Sequence, residues 1–223
     1  MLPTILIDSA KTPDGQDLRL YKHDRDFSIK LGSIELMNSR MHGSEEALAQ
    51  LACAEIALEP KPRVLIGGLG LGFSLRAALA CLPEKAEVVV SELMPQVVKW
   101  NREILGGLAG NPLGDKRVTV LEEDVVKTIK AGKTDYNAIL LDVDNGPQRL
   151  FQKTNEKLYN LKGLFNARAA LRPRGILGVW SSGPDNTFTK RLVAAGFHVE
   201  ERQVNARAGS KAGGHHRIWL ARR

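Results

Sequence analysis

The sequence predicts an α/β fold: a Rossmann-like, seven-stranded, mostly parallel sheet with a C-terminal antiparallel hairpin, preceded by a small N-terminal antiparallel β appendage. Three observations predict it. From Arg63 onward, short apolar runs alternate with helix-period segments, the pattern of parallel strands covered by helices on both faces. The last two apolar runs have no helix between them, only the glycine-rich, basic stretch Ala206 to Gly214, so they should pair as a hairpin. The first forty residues read as short strands separated by polar turns, with Pro13-Asp14-Gly15 a strong turn signal.

The early strands are expected at Thr4 to Ile7, Leu18 to Lys22, Phe27 to Lys30 and Ser33 to Met37. Gly43-Ser44-Glu45-Glu46 then offers a serine cap and an acidic first turn for a helix through Leu48, Leu51, Cys53 and Ile56, ended by Pro60 and Pro62. The main sheet is assigned to Val64–Ile66, Glu87–Ser91, Val118–Leu121, Ala138–Leu141, Ile176–Trp180, His198–Gln203 and Arg217–Ala221, with helices between the first six. One of these helices opens at Pro95, which a first turn tolerates. It places Val97, Trp100 and Ile104 on one face and stops at Gly106-Gly107. The division that follows is residues 1–42 as the appendage and 43–223 as the Rossmann-like catalytic domain.

Bulk properties bound the function. With 223 residues, 43% hydrophobic and 26% charged, the chain matches a soluble globular protein with one main core. No apolar run reaches the ~18 residues that would span a bilayer, and the start lacks the pattern of a signal peptide. Cys53 and Cys81 lie in apolar helix-like stretches and read as core packing in a reducing cytoplasm. Most of the net charge of +7 comes from residues 201–223, where six cations face one acid. A solvated edge whose charges discourage strand pairing accounts for that excess, so neither nucleic acid nor membrane is expected as a partner.

Four segments carry candidate chemistry. Gly68, Gly70 and Gly72, with Leu71 between the last two, follow an apolar strand and open a helix. The backbone there can approach a ligand while helix N–H groups face it. Glu92 ends the next strand, twenty residues beyond Gly72, where an acid suits the two hydroxyls of a ribose. A dinucleotide would want glycine at Phe73, so an adenosyl sulfonium is preferred to a nicotinamide cofactor. Asp124 closes the third strand, able to accept from an adenine amino group or to cap the helix through Val125, Val126 and Ile129.

Asp142 and Asp144 leave the fourth strand beside the expected crevice of the sheet. Asp142 could bind an amino group or act as base, and Asp144 could hold a cationic substrate. His215-His216 suggests no metal: neighbours on a strand face opposite ways and a third ligand is missing at suitable spacing, so no metal is expected. His42 is an outside candidate for proton transfer.

In their order these residues resemble the spermidine synthase family, whose members use the class I methyltransferase fold. The resemblance runs from about Asp17 to Trp180 through Leu31-Gly32-Ser33-Ile34-Glu35, Glu46, Val64-Leu65-Ile66, the glycine loop with Leu75-Arg76, Glu92, Asp124, Asp142 and Leu171-Arg172-Pro173-Arg174-Gly175. Ile66 stands where most methyltransferases carry an acid, which favours the synthases. The resemblance implies aminopropyl transfer from decarboxylated S-adenosylmethionine to a small amine in polyamine biosynthesis, and a homodimer through the N-terminal strands. The chain departs from the family at Leu71, where synthases carry an aspartate that contacts the donor's amine. It departs again at Ser44, where they have tyrosine, at Glu45 and Glu35, where they have glutamine, and at Asn145, near which they have a second acid. Without an aspartate in the loop, the carboxylate of intact S-adenosylmethionine meets no repulsion there. Methyl transfer from the intact donor is therefore the alternative, and a non-catalytic adenosyl-binding homologue the second. Trp180 and Ser181-Ser182-Gly183 are expected to border the acceptor pocket.

Overall fold

The computed structural model describes residues 3–143, 146–147 and 155–223, without the side chains of residues 211–213. Four antiparallel strands come first, β1 (Ile5–Lys11), β2 (Asp17–His23), β3 (Asp26–Leu31) and β4 (Ile34–Asn38), in the spatial order of the sequence. Their inward residues Leu18, Leu20, Ile29 and Leu31 are buried. The alternation in β2 and β3 is thus that of a sheet with one face in the core.

Helix α1 (Gly43–Ala54) leads to the seven-stranded sheet, whose members in chain order are β5 (Arg63–Gly67), β6 (Glu87–Ser91), β7 (Val118–Leu121), β8 (Tyr136–Leu141), β9 (Leu171–Ser181), β10 (His198–Arg207) and β11 (Ser210–Arg222). Their spatial order is β10-β11-β9-β8-β5-β6-β7. Strands β5 to β9 run parallel; β11 is antiparallel to both β9 and β10. Between them lie α2 (Phe73–Cys81), α3 (Pro95–Trp100), α4 (Val125–Ala131), α5 (Glu156–Tyr159), α6 (Leu161–Ala170) and α7 (Asn186–Ala194).

Side-chain alternation along the central strands sorts the core into two layers. Val64, Ile66, Val88, Val90, Ala138 and Leu140 point to one face, with α1, α2, α3 and the N-terminal sheet. Leu65, Val89, Ile139 and Leu141 point to the other, with α4, α5, α6 and α7. After β5 the chain winds toward β7 on one side, and after β7 it returns to β8 on the other. The boundary between β5 and β8 is therefore the topological switch point, where a crevice opens at the carboxyl ends of the strands.

The predicted strands and the helices between them are found, with four local corrections. Ser44 does not cap α1: the cap position is His42, without a side-chain cap bond, and the Ser44 hydroxyl is buried and bonded elsewhere. After Pro95, α3 passes into a π-helical turn over Asn101–Leu105; this wider turn advances the buried position by one, so Leu105 is buried and Ile104 exposed. Cys53 is buried, but Cys81 is exposed at the end of α2, where the helix stripe has turned to solvent. The hairpin connection is much shorter than Ala206–Gly214, because the strands continue to Arg207 and resume at Ser210, with Gly209 at φ +66° in the turn.

Candidate functional site

The glycine loop follows β5 at the switch point. Gly68 has φ +88°, and a Cβ there would lie 2.5 Å from the carbonyl oxygen of Asp142, so only glycine lets the loop cross the end of β8. Gly72 precedes α2 at φ +84°. The Asn101 side chain ties the loop to the π-helical turn by donating to the carbonyl of Gly70 at 2.8 Å. A cleft of about 800 Å³, measured to its open mouth, lies against this loop.

Gly68, Gly70, Glu92, Asp124 and Asp142 all line this cleft. Glu92 is 8% exposed, and its two carboxylate oxygens accept from the backbone N–H groups of Leu69 and Met94, both at 2.8 Å. Burial pushes its pKa up, opposed by those backbone donors. The carboxylate is thereby held rigid at the wall of the cleft. Asp124 caps α4 by accepting from the Val126 N–H at 2.9 Å, so the capping and lining roles coexist.

Asp142 sits where the cleft meets a second pocket of about 480 Å³, lined by Leu36, Met37, Glu45, Gly70, Asp142 and Trp180. Burial raises the Asp142 pKa to about 6, partly offset by a 2.7 Å hydrogen bond from the Ser74 hydroxyl. Half-buried Glu45 is pushed well above the usual carboxylate range by burial, then by the negative charge of Asp142, then by Glu46. Two acids facing one small volume disfavour double ionisation, and a cation placed between them removes that penalty.

The remaining expected positions fall elsewhere. Leu71 is 1% exposed and packs in the core, not on the wall of either pocket, because the loop turns its side chain inward while its backbone faces the cleft. Asp144 and Asn145 lie outside the described residues. His42 stacks on Phe73 at 4.2 Å and lies 3.2 Å from Glu46, and it lines neither pocket. Trp180 borders the second pocket, whereas Ser181 packs against Gly146. Among the described residues no cluster of metal-ligating side chains occurs.

Sequence reasoning missed the share of the N-terminal sheet. Thr12, Leu18, Ile29, Leu31, Leu36 and Met37 line the main cleft, so the appendage forms one wall of the site. The alternating Leu18/Leu20 and Ile29/Leu31 pairs showed a buried face, but not what it covers. Glu45 carried a signal, as an acid where the resembled family has glutamine.

A glycine-rich turn at the switch point, a buried acid after the second strand and a capping acid after the third line one cleft at the carboxyl ends of the strands of this α/β protein. No family model matches the chain. A polyamine aminopropyltransferase of Sulfolobus acidocaldarius is 27% identical over 129 residues, which are 58% of this chain and 41% of that protein, so the match spans about two fifths of the relative's length. The spermidine synthase of Thermotoga maritima superposes with a TM-score of 0.76 at 18% identity, over 97% of this chain and 72% of the other. A spermidine synthase in complex with the transition-state analogue AdoDATO gives 0.74 at 17% identity, again over 97% and 72%. The chain thus has the fold of these spermidine synthases, and part of its sequence is similar to a polyamine aminopropyltransferase.

Proposed function

We propose that this chain transfers the aminopropyl group of decarboxylated S-adenosylmethionine to a small amine. Charge carries the reading. Among the described residues the two joined pockets are lined by Glu45, Glu92, Asp124 and Asp142 and by no Lys, Arg or His. Such a site favours a donor bearing a sulfonium and an ammonium, and an acceptor that is itself a cation. Intact S-adenosylmethionine would bring a carboxylate into this field. The acids of the cleft thus reverse the sign of the argument from Leu71, and methyl transfer loses its support.

In this reading the backbone at Gly68 and Gly70 lies along the donor, Gly72 sets the entry of α2, and Leu71 holds the loop by core packing. Glu92 accepts from the ribose hydroxyls and Asp124 from the adenine amino group. Glu45 and Trp180 bind the acceptor. The amine lone pair attacks the propyl carbon next to sulfur. The carbon–sulfur bond breaks with its electrons going to sulfur, and methylthioadenosine leaves as a neutral thioether. The proton lost by nitrogen goes to Asp142, whose pKa near 6 leaves it ionised at neutral pH and able to accept. The sulfonium is already a good leaving group, so alignment is the protein's main contribution.

Further readings concern partners. The N-terminal sheet exposes Ile5, Leu6, Ile7 and Ile34, which supports a homodimer through that sheet. The hairpin cations Arg202, Arg217 and Arg222 are paired with Glu200, Glu201 and Glu55, which supports a solvated edge over a nucleic-acid surface. Among the described residues no helix is long and apolar enough to cross a membrane; a cytoplasmic location is the reading we retain.

Calorimetry with decarboxylated S-adenosylmethionine, the intact donor and methylthioadenosine tests the proposal. The decarboxylated donor and the thioether are expected to bind. Glu92→Ala should weaken both by about 10–100-fold, the loss of charge-assisted hydrogen bonds. Binding of the intact donor alone overturns aminopropyl transfer, and binding of none of the three overturns the nucleoside site.

A further inference from the structure

The aromatic wall of the second pocket is held by residues that do not line it. Trp180 lies at the end of β9 and is 8% exposed. Its indole N–H donates to the Ser44 hydroxyl at 2.9 Å. Ser44 is fully buried near the start of α1 and also lies 2.8 Å from Nδ1 of His216 on β11. The imidazole meets the Trp180 indole edge-on, with centroids 4.8 Å apart and planes at 78°.

Proton counting orders this chain of groups. An indole N–H only donates, so the Ser44 oxygen accepts from it. A second hydrogen bond joins the Ser44 oxygen to His216 Nδ1, with the serine donating in the tautomer whose Nδ1 is bare; burial lowers the His216 pKa and favours the neutral imidazole. The hairpin is seated by a separate contact. The backbone of Arg207 and Ala208, at its tip, fills the space where Gly43 would carry a Cβ. A side chain at residue 43 would displace the tip of the hairpin whose second strand carries His216. The hairpin therefore braces the start of α1, and through Ser44 it fixes the plane of Trp180.

We propose that Ser44 and His216 are positioning residues that set the orientation of Trp180 and so determine which amines the second pocket accepts. The inference rests on reading that pocket as the acceptor site. It gives the two departures from the resembled family in this region, Ser44 and Glu45, separate tasks: Ser44 fixes the aromatic wall and Glu45 supplies charge. An amine chain lying on the indole face gains contact area and a cation–π attraction only when that face is turned to the pocket.

The test combines nitrogen-15 tryptophan NMR with steady-state kinetics and calorimetry. The chain has three tryptophans, and each indole N–H is hydrogen-bonded: Trp100 to Asp8, Trp180 to Ser44 and Trp219 to Thr189. Phenylalanine substitution of each assigns the three signals. Ser44→Ala should move the Trp180 signal and leave the other two, raise the KM for 1,4-diaminobutane by about 3–10-fold, the worth of one hydrogen bond, lower kcat by less, and leave methylthioadenosine affinity unchanged. His216→Phe keeps an aromatic ring but removes the hydrogen-bonding nitrogen and should act in the same direction; His216→Gln restores a hydrogen-bonding group and should recover part of the loss. His216→Phe also keeps the test open if Ser44→Ala does not fold. Variants whose KM for the amine equals that of the wild type overturn the inference alone, as does a KM change matched by an equal change in methylthioadenosine affinity. A wild-type protein that binds no amine overturns the acceptor reading and this inference with it.

Discussion

The Ser74 hydroxyl donates to Oδ2 of Asp142 at 2.7 Å, joining the first turn of α2 to the end of β8. The bond stabilises the carboxylate form of a group whose pKa burial has raised to about 6. Removing it should raise that value further. In Ser74→Ala the acid limb of the pH profile of kcat/KM should therefore move to higher pH, by about half to one pH unit for one lost hydrogen bond. An unmoved limb would show that Asp142 is not the base.

Glu45 and Asp142 both have folded-state pKa values above their ordinary ones. The fold thus prefers their protonated forms. Their contribution to stability is fully present below the ordinary carboxylate range and is lost as pH rises through the folded values, near 6 for Asp142. Glu45→Gln removes one ionisable partner while keeping its shape. The variant should melt higher than the wild type at pH 8 by about 2–4 °C for each kcal/mol of relieved strain, and the difference should close toward pH 5. The same variant should bind a diamine more weakly. Equal melting curves at both pH values would count against a charge conflict between the two acids.

Gly68 is held at φ +88° with the carbonyl of Asp142 2.5 Å from where a Cβ would stand, whereas Gly15 has a similar φ of +84° in open space. Gly15→Ala should cost about 1 kcal/mol from backbone strain alone. Gly68→Ala adds a clash with backbone and should cost about 2–4 kcal/mol and abolish nucleoside binding. Urea midpoints at matched slopes measure the difference. Similar midpoints would mean that the approach of the loop to β8 is not tight.

The strands could be read because each central strand is an apolar run bounded by turn residues, and the parallel sense of the sheet because strands alternate with helices; the spatial order of the strands came from the structure. Glu92 and Asp124 were legible for a related reason: a strand end at a fixed distance after a glycine turn has one place in such a sheet. The π-helical turn after Trp100 was not legible, since Ile104 and Leu105 are equally apolar and only tertiary packing of the turn, tied to Gly70 through Asn101, selects Leu105 for the core. Ser44 looked like a helix cap because serine before two glutamates has that local chemistry; contacts with Trp180 and His216, 136 and 172 residues away, recruit its hydroxyl instead.

By itself, then, the sequence determined the architecture, the glycine turn and the acids that follow it, because these depend on local periodicity and on spacing along the chain. Tertiary structure decided the sign of the field in the cleft. Leu71, which stood out in the sequence as the missing acid, is turned into the core, while Glu45 arrives from another helix to face Asp142. Electrostatic character depends on which charges share a small, partly desolvated volume, and distances across a fold are set by packing, not by position in the chain.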